Sequence, residues 1–502
     1  MSRRAHTLGV LLVVALSCTI LVPLLPAGAT GAGAPDVTPD TIQWTRCGGG
    51  FQCATLPVPV DYADPAAGTI DLALTRRHAD DRANRIGSLV VNYGGPGDAG
   101  TETLRQTADF LPAAVRRDFD VVSFDPRGVG ASRPVRCVDD ATFERAWSED
   151  PTPNGPADLP GFYDGTASSD DLVAECLDTN GDYLARLGSR NVARDLDRLR
   201  AAVGDDRLTY VGYSYGTLIG ALYAQEFPQN VRALVLDSAV DLSSTMTEEQ
   251  RDNTAGFEQA LDEFLDDCAK DRGCVFHSGG DPRTALEQLR ARFEQGVRID
   301  GGDGERTVGV SEFYTALVAA LYSRQDWPFL AEGLQSAAKH DDGTTLLLLN
   351  DFYAGRQDDG TYSNFQQVLG VIVCDDDAEP LVSFDDFRAT YDQLSAEFPF
   401  FGPLFGSGPA GCDPRLPQPH ADEQVGDVRV ADAPPVLVIG STRDPATPYV
   451  GAKDLQGRIE GSRLLTVDNT GHGSYATGNR CVDRIVNRYL VTGRAPTRDP
   501  RC

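Results

Sequence analysis

The sequence is poor in cations. Its 45 lysines and arginines stand against 74 aspartates and glutamates, a net charge of −29 over 502 residues. A surface that acidic repels phosphate backbones and anionic lipid headgroups alike, so no nucleic-acid partner is expected. Past residue 25 the chain has no apolar run of the roughly 20 residues that a spanning helix needs. It also lacks the C-x-x-C spacing with nearby histidines of a structural zinc cluster, so no metal site is expected. Internal repeats and low-complexity stretches are absent. What is present is globular in proportion, with 41% hydrophobic and 24% charged positions. The length allows about three domains of roughly 150 residues or a single α/β unit with insertions, and motifs must decide between them.

Arg3 and Arg4 precede an apolar run from Leu8 to Leu25, broken by Pro23, and Ala27-Gly28-Ala29 supplies small residues for cleavage. Residues 1–29 read as a signal peptide, not an anchor, because the small-residue site follows the run directly. General secretion fits better than twin-arginine export, whose pattern does not continue after Arg4. Cys18 falls within the signal, and Ala15-Leu16-Ser17 before it is a poor lipid-attachment site. Ten cysteines then remain, an even number: Cys47, Cys53, Cys137, Cys176, Cys268, Cys274, Cys374, Cys412, Cys481 and Cys502. The expected location is extracellular, with cell-envelope attachment as the alternative and no stable membrane insertion after signal removal. Ten cysteines allow roughly 945 pairings. Nearest-neighbour pairing is the simplest, and a Cys137–Cys176 bond would close about 40 residues and add about 4 kcal/mol by chain entropy.

From Gly68 to Thr75, Ile70, Leu72 and Leu74 alternate with Asp71, Ala73 and Thr75, the period of a half-exposed strand, expected here at an antiparallel edge. Six short apolar runs read as buried parallel strands: Ser88–Val91, Val121–Phe124, Leu208–Val211, Ala233–Leu236, Val436–Ile439 and Leu464–Val467. Val192, Leu196, Leu199 and Val203 repeat at helical spacing over Asn191–Val203 and present a stripe to the sheet. Between Leu242 and Asp432 the strand runs give way to helical periodicity, with Phe257, Leu261, Phe264 and Leu265 on one face and Leu286, Leu289 and Phe293 on another. The strand pattern then resumes. We read a core split into 45–241 and 433–502, with 242–432 inserted as a helical cap.

Three turns after strands carry the chemistry. Gly212-Tyr213-Ser214-Tyr215-Gly216 matches G-x-S-x-G between a strand run and the apolar segment Leu218–Ala224. A nucleophile elbow needs small flanks because its serine occupies a strained strand-to-helix turn. A serine hydroxyl also needs a base for its proton and a carboxylate to orient that base. Asp444, just past Val436–Ile439, and His472, just past Leu464–Val467, follow in the order Ser, Asp, His. His420 precedes Asp444 in a proline-rich stretch and reads as a surface residue. The rival carboxylate Asp468 sits too close to His472 on the same turn. Gly94-Gly95-Pro96-Gly97 follows the strand Leu89–Val91, where a backbone N–H can reach a developing oxyanion and glycine permits close approach. Gly95 and the N–H of Tyr215 are the candidate donors.

These residues resemble the α/β-hydrolase peptidases that include prolyl iminopeptidase and, more closely, the secreted tripeptidyl aminopeptidases of actinomycetes. The resemblance runs from about Cys53 to the C terminus. It is carried by Val90-Val91-Asn92-Tyr93-Gly94-Gly95-Pro96-Gly97, Phe124-Asp125-Pro126-Arg127-Gly128-Val129-Gly130, the Ser214 pentapeptide with Thr217, Asp444-Pro445-Ala446-Thr447-Pro448 and Gly471-His472-Gly473. Only three lysines among so many arginines also suit an actinomycete. The resemblance implies an α/β-hydrolase fold, a mostly parallel sheet with helices on both faces and the cap inserted. It further implies Ser214, Asp444 and His472 as a triad, peptide substrates with free N termini, and no cofactor. Iminopeptidases commonly place His before the Gly-Gly-Pro-Gly run, where this chain has Asn92-Tyr93, a departure from strict proline specificity. An aminopeptidase must bind a cationic amine, and a cap carboxylate is the economical partner. Asp375 and Asp376, next to Cys374, are the candidates, against the reading of Asp375-Asp376-Asp377 as a solvated face or a calcium loop. A secreted carboxylesterase or lipase with the same triad is the alternative function, and an apolar rather than acidic pocket would distinguish it.

Overall fold

The structure, a computed structural model, describes residues 42–153, 157–167, 170–302, 304–408 and 411–502. The expected signal segment 1–29, with Cys18, lies outside the described residues. In chain order the strands are β1 (Thr45–Arg46), β2 (Phe51–Pro59), β3 (Thr69–Arg77), β4 (Gly87–Asn92), β5 (Phe119–Phe124), β6 (Leu208–Tyr213), β7 (Val231–Asp237), β8 (Ile299–Asp300), β9 (Thr307–Val308), β10 (Leu437–Arg443) and β11 (Arg463–Thr470). Nine of them form one sheet in the order β1-β2-β3-β5-β4-β6-β7-β10-β11, while β8 and β9 pair separately. The six apolar runs became β4, β5, β6, β7, β10 and β11, and every neighbouring pair among these six is parallel.

Parallel strands need both faces covered, and their side chains alternate between two cores. Val90, Val122 and Val438 join a cluster on one face with Leu196, Leu199 and Leu222. Leu89, Val91, Val121, Leu437 and Ile439 join a second cluster on the other face with Val486 and Leu490. The expected helix at 191–203 is Ser189–Ala202, with Val192, Leu196 and Leu199 buried. One expectation needs correcting. β3 is antiparallel to both neighbours, but it is not the edge, because β2 lies outside it over nine residue pairs. Pro57 and Pro59 masked β2 in the sequence, since proline cannot donate to a ladder. The strand tolerates both because β1 covers only Gln52 and Cys53 on its outer side.

Between β7 and β10 the described chain is helical apart from the β8–β9 hairpin, from the capping box of Thr245 and Glu248 at the start of Met246–Lys270 to the short helix Gly402–Gly406. Phe257, Leu261, Phe264, Leu265, Leu289 and Phe293 form part of its own core. This stretch does not stand apart from the rest. Trp147, in the helix Asp140–Trp147 that follows β5, donates its indole N–H to Asn350 at 2.9 Å, and Val425, Val428 and Val430 pack into the sheet-side core. Five disulfides join nearest neighbours: Cys47–Cys53, Cys137–Cys176, Cys268–Cys274, Cys374–Cys412 and Cys481–Cys502. Among the described residues no helix is long and apolar enough to cross a membrane.

The turn after β5 is locked by a charge. Arg127 and Asp195 are fully buried, with Nε and Nη2 donating to the two carboxylate oxygens at 2.8 and 2.7 Å. The remaining N–H groups reach the carbonyls of Pro59, Val60 and Arg186, so one guanidinium ties β2, the β5 turn and the helix Ser189–Ala202 together. Burial alone would lower the arginine's pKa, yet Asp195 holds it above its ordinary value. Breaking a buried pair by removing one charge costs about 3–5 kcal/mol. Asp195→Asn should therefore lower the free energy of unfolding by that amount, seen as a lower urea midpoint at unchanged slope, whereas wild-type stability in this variant would show the pair dispensable.

Candidate active site

β6 delivers Ser214 to a sharp turn. Its φ is 54°, a left-handed value that costs a non-glycine residue about 1–3 kcal/mol and persists only where the surroundings impose it. They do so sterically. A Cβ on Gly212 would lie 2.3 Å from the carbonyl oxygen of Gly216, and one on Gly216 would lie 2.7 Å from Asn92 Oδ1. The Ser214 N–H donates to the Asp237 carbonyl at 2.9 Å, and Thr217 Oγ1 donates to the Ser214 carbonyl at 2.6 Å. The Gly94–Gly97 loop lies directly against this elbow: a Cβ on Gly94 would sit 3.0 Å from Ser214 Cβ.

The turn after β11 carries His472 between Gly471 at φ 139° and Gly473 at φ 79°. His472 Nδ1 lies 2.9 Å from Asp444 Oδ1, the geometry of an N–H donating to a carboxylate. Asp444 is buried, and that oxygen also accepts the N–H groups of Ala446 and Thr447, each at 3.0 Å. Burial lowers the pKa of His472, but the charge and hydrogen bond of Asp444, with a further contribution from Asp237, outweigh it and leave the imidazole above its ordinary value. Asp468 pairs instead with Arg443 on the surface, and the exposed His420 meets Asp61 and Arg186.

Sequence reasoning missed the residues that hold this turn. Ser238, at φ 55°, donates its hydroxyl to Asp444 Oδ2 at 2.7 Å and accepts the Gly473 N–H at 2.7 Å. Asp237 accepts the N–H groups of Ser474 and Tyr475, and burial raises its carboxyl to about 6. From the other side, the carbonyl of Tyr322 accepts the His472 N–H at 2.8 Å, and its ring stands edge-on to the imidazole. One signal was available: Asp237-Ser238 closes the apolar run of β7, and polar residues at the carboxyl ends of parallel strands face the ligand crevice.

Ser214, Tyr215, His472, Gly95 and Asp376 all line one cavity of about 1100 Å³. Asp375 and Asp376 are buried at the end of the helix Phe365–Asp376, which excludes the solvated-face reading. Asp376 is on the cavity wall, but its oxygens already accept from the N–H and hydroxyl of Ser189 and from the Tyr215 hydroxyl. Asp375 lies off the cavity and accepts the Gly188 N–H. Burial, then repulsion from Asp376, raises Asp375 to about 8, while burial outweighs hydrogen bonds from Tyr215 and Ser189 in raising Asp376 to about 6. No cluster of three metal-ligating side chains occurs among the described residues.

If Asp444 sustains the raised basicity of His472, the imidazole should titrate above about 6.5 by NMR, the unperturbed histidine value. Asp444→Asn should bring it below that value, because burial is then opposed only by the smaller contribution of Asp237. An unchanged midpoint would show that the two side chains are not electrostatically coupled.

Comparison with known proteins agrees with this architecture. Residues 87–478 match the model of the α/β-hydrolase fold family. The chain is 38% identical over 488 residues to serine protease Hip1 of Mycobacterium tuberculosis, covering 92% of this chain and 91% of that protein. It is 35% identical over 496 residues to carboxylesterase B of the same organism, at 95% and 92% coverage. To the tripeptidyl aminopeptidase of Streptomyces lividans it is 32% identical over 479 residues, at 92% and 86% coverage. The parallel sheet, the serine-bearing turn after β6 and a family match spanning most of the length together establish that the chain belongs to the α/β-hydrolase fold family and is a hydrolase.

Proposed function

We propose that the chain is a secreted serine exopeptidase that cuts peptide bonds near free N termini and releases short peptides. Ser214 is the nucleophile. Its Oγ attacks the scissile carbonyl carbon while His472 Nε2 takes the hydroxyl proton, and Asp444 stabilises the resulting imidazolium. The N–H groups of Gly95 and Tyr215 receive the oxyanion. Collapse breaks the C–N bond as His472 returns the proton to the leaving amine, and water then repeats the sequence on the acyl-enzyme, so that no cofactor takes part. Five disulfides support an oxidising compartment. We assign the hydrolase core to 45–241 and 433–502 and the cap over the cavity to 242–432.

The observation that carries the amine specificity is the charge on the cavity wall. Among the described residues, seven carboxylate side chains line it, Asp98, Glu102, Asp326 and Asp358 among them, against the single guanidinium of Arg356. A substrate ammonium would neutralise part of that charge. Asp376 is committed to protein donors, which leaves Asp98 better placed to receive the amine. Asp98 Oδ1 is buried without a hydrogen-bond partner, and burial raises its carboxyl to about 7. The relatives named serine protease and tripeptidyl aminopeptidase support the peptidase reading. The relative named carboxylesterase B favours an esterase on the same machinery, but the seven carboxylates give an acyl chain no partner.

Two measurements test the proposal. Ser214→Ala should fold normally and lose turnover by about 10⁶, and retained turnover would remove Ser214 from the mechanism. Acetylating the N terminus of a short peptide removes the ammonium and leaves its carboxylate partner unpaired. Losing a buried charge-assisted pair is worth about 3–5 kcal/mol, on the order of 10²- to 10³-fold in kcat/KM. Free peptides should exceed their acetylated copies by that factor, and Asp98→Asn should narrow the gap. Equal rates on both would refute the aminopeptidase assignment and leave the hydrolase intact.

A further inference from the structure

The helix Phe365–Asp376 belongs by sequence to the segment between β7 and β10, yet it is bonded to the sheet side at both ends. At its start, Asn364 accepts the Gly130 N–H at 3.0 Å and donates to the carbonyls of Gly128 and Val135. One turn on, Gln367 Oε1 accepts the N–H groups of Cys137 and Val138. At its end, Asp375 and Asp376 take the N–H groups of Gly188 and Ser189, each at 2.6 Å, beside the Cys374–Cys412 disulfide.

Both candidate oxyanion donors lie under this helix. A Cβ on Gly95 would come within 2.9 Å of the Phe365 ring, and one on Gly97 within 3.0 Å of the Phe365 carbonyl oxygen. The first turn therefore presses on the Gly94–Gly97 loop with space for glycine alone. The last turn holds the other donor, since the buried Tyr215 hydroxyl donates to Asp376 Oδ2, with Ser189 Oγ 2.5 Å from the same phenol oxygen. Tyr215 follows Ser214 directly, so whatever fixes its ring fixes the N–H at its backbone.

We infer that this helix is a brace that sets the separation of the two oxyanion donors, with Asp376 a positioning residue acting through the Tyr215 side chain. The inference rests on the serine mechanism proposed above. Displacement of a donor lowers transition-state stabilisation without changing ground-state contacts, and an error of about 1 Å at a reacting centre can cost on the order of 10²-fold.

Tyr215→Phe keeps the backbone N–H and deletes the phenol hydroxyl, and with it the contacts to Asp376 and Ser189. The probes are a tripeptide aldehyde, to which Ser214 Oγ adds to leave an oxyanion, and the matched tripeptide alcohol, which forms no adduct. The variant should lose about tenfold or more in kcat with KM within about twofold, and aldehyde affinity should fall by a similar factor while alcohol affinity holds. Asp376→Asn should show the same selective loss, and the double variant should be no worse than the poorer single. If Tyr215→Phe does not fold, the aldehyde-to-alcohol ratio in Asp376→Asn decides. Equal weakening of both probes, or of neither, would overturn the brace. Turnover by Ser214→Ala would instead overturn the serine mechanism beneath it, whereas a dead Ser214→Ala with unaltered probe ratios would sink the brace alone.

Discussion

A serine held at φ 54° is the constraint around which the other elements are arranged. The turn closes so tightly that Gly212 and Gly216 cannot carry a side chain, and Gly94 must give way to the serine from the neighbouring loop. Each of these glycines would be a liability in an ordinary strand or helix, where the residue costs about 0.5–1 kcal/mol relative to alanine. Here they permit the end of β6, the start of the helix Gly216–Glu226 and the loop after β4 to occupy one small volume. The hydroxyl is thereby presented to the cavity at the carboxyl ends of the parallel strands.

The histidine turn meets the opposite difficulty. A buried imidazole tends to lose basicity, which would weaken it as a proton acceptor. Asp444 offsets this, but a buried carboxylate needs its own donors, and it finds them in Ala446, Thr447 and the hydroxyl of Ser238. Ser238 in turn holds Gly473, and its neighbour Asp237 holds Ser474 and Tyr475. The end of β7 is thus a second anchor for a loop that belongs to β11. The carboxyl of Asp237 is raised by burial and, to a smaller extent, by the nearness of Asp444, while the N–H groups of Tyr475 and Ser474 and then the imidazole of His472 moderate that rise. Asp237 and His472 thus each respond to the other and to Asp444.

The six parallel strands were legible because strands buried on both faces are short apolar runs, and the serine, aspartate and histidine candidates were legible because each stands just past such a run. The structure places Asp444 against His472, and it places Ser214 with His472 on one cavity. β2 was illegible because its prolines argue against a strand, and its edge position overrides them. Asp237 and Ser238 were missed because polar residues ending a strand look the same whether they face water or a neighbouring loop. Asp375 and Asp376 could be marked from sequence as interesting, but not placed. Three consecutive aspartates usually solvate a face, and only the helix end that buries two of them against Gly188 and Ser189 reverses that expectation.

Sequence order also misleads about where the site is built. The segment between β7 and β10 interrupts the strand pattern, which suggests a lid over a site already complete beneath it. The contacts say otherwise. Tyr322 supplies the carbonyl that holds the His472 N–H, Phe365 presses on the glycine loop, and Asp376 holds the hydroxyl of Tyr215. Without that segment the sheet would retain Ser214 and the Asp444–His472 contact, but the His472 backbone N–H would lose its partner and the Tyr215 hydroxyl would keep only Ser189. An unpaired buried polar group costs about 1–3 kcal/mol, enough to favour another arrangement of the histidine loop. The segment therefore contributes wall residues to the cavity and contacts to the loops that carry the serine and the histidine, so changes in it reach both.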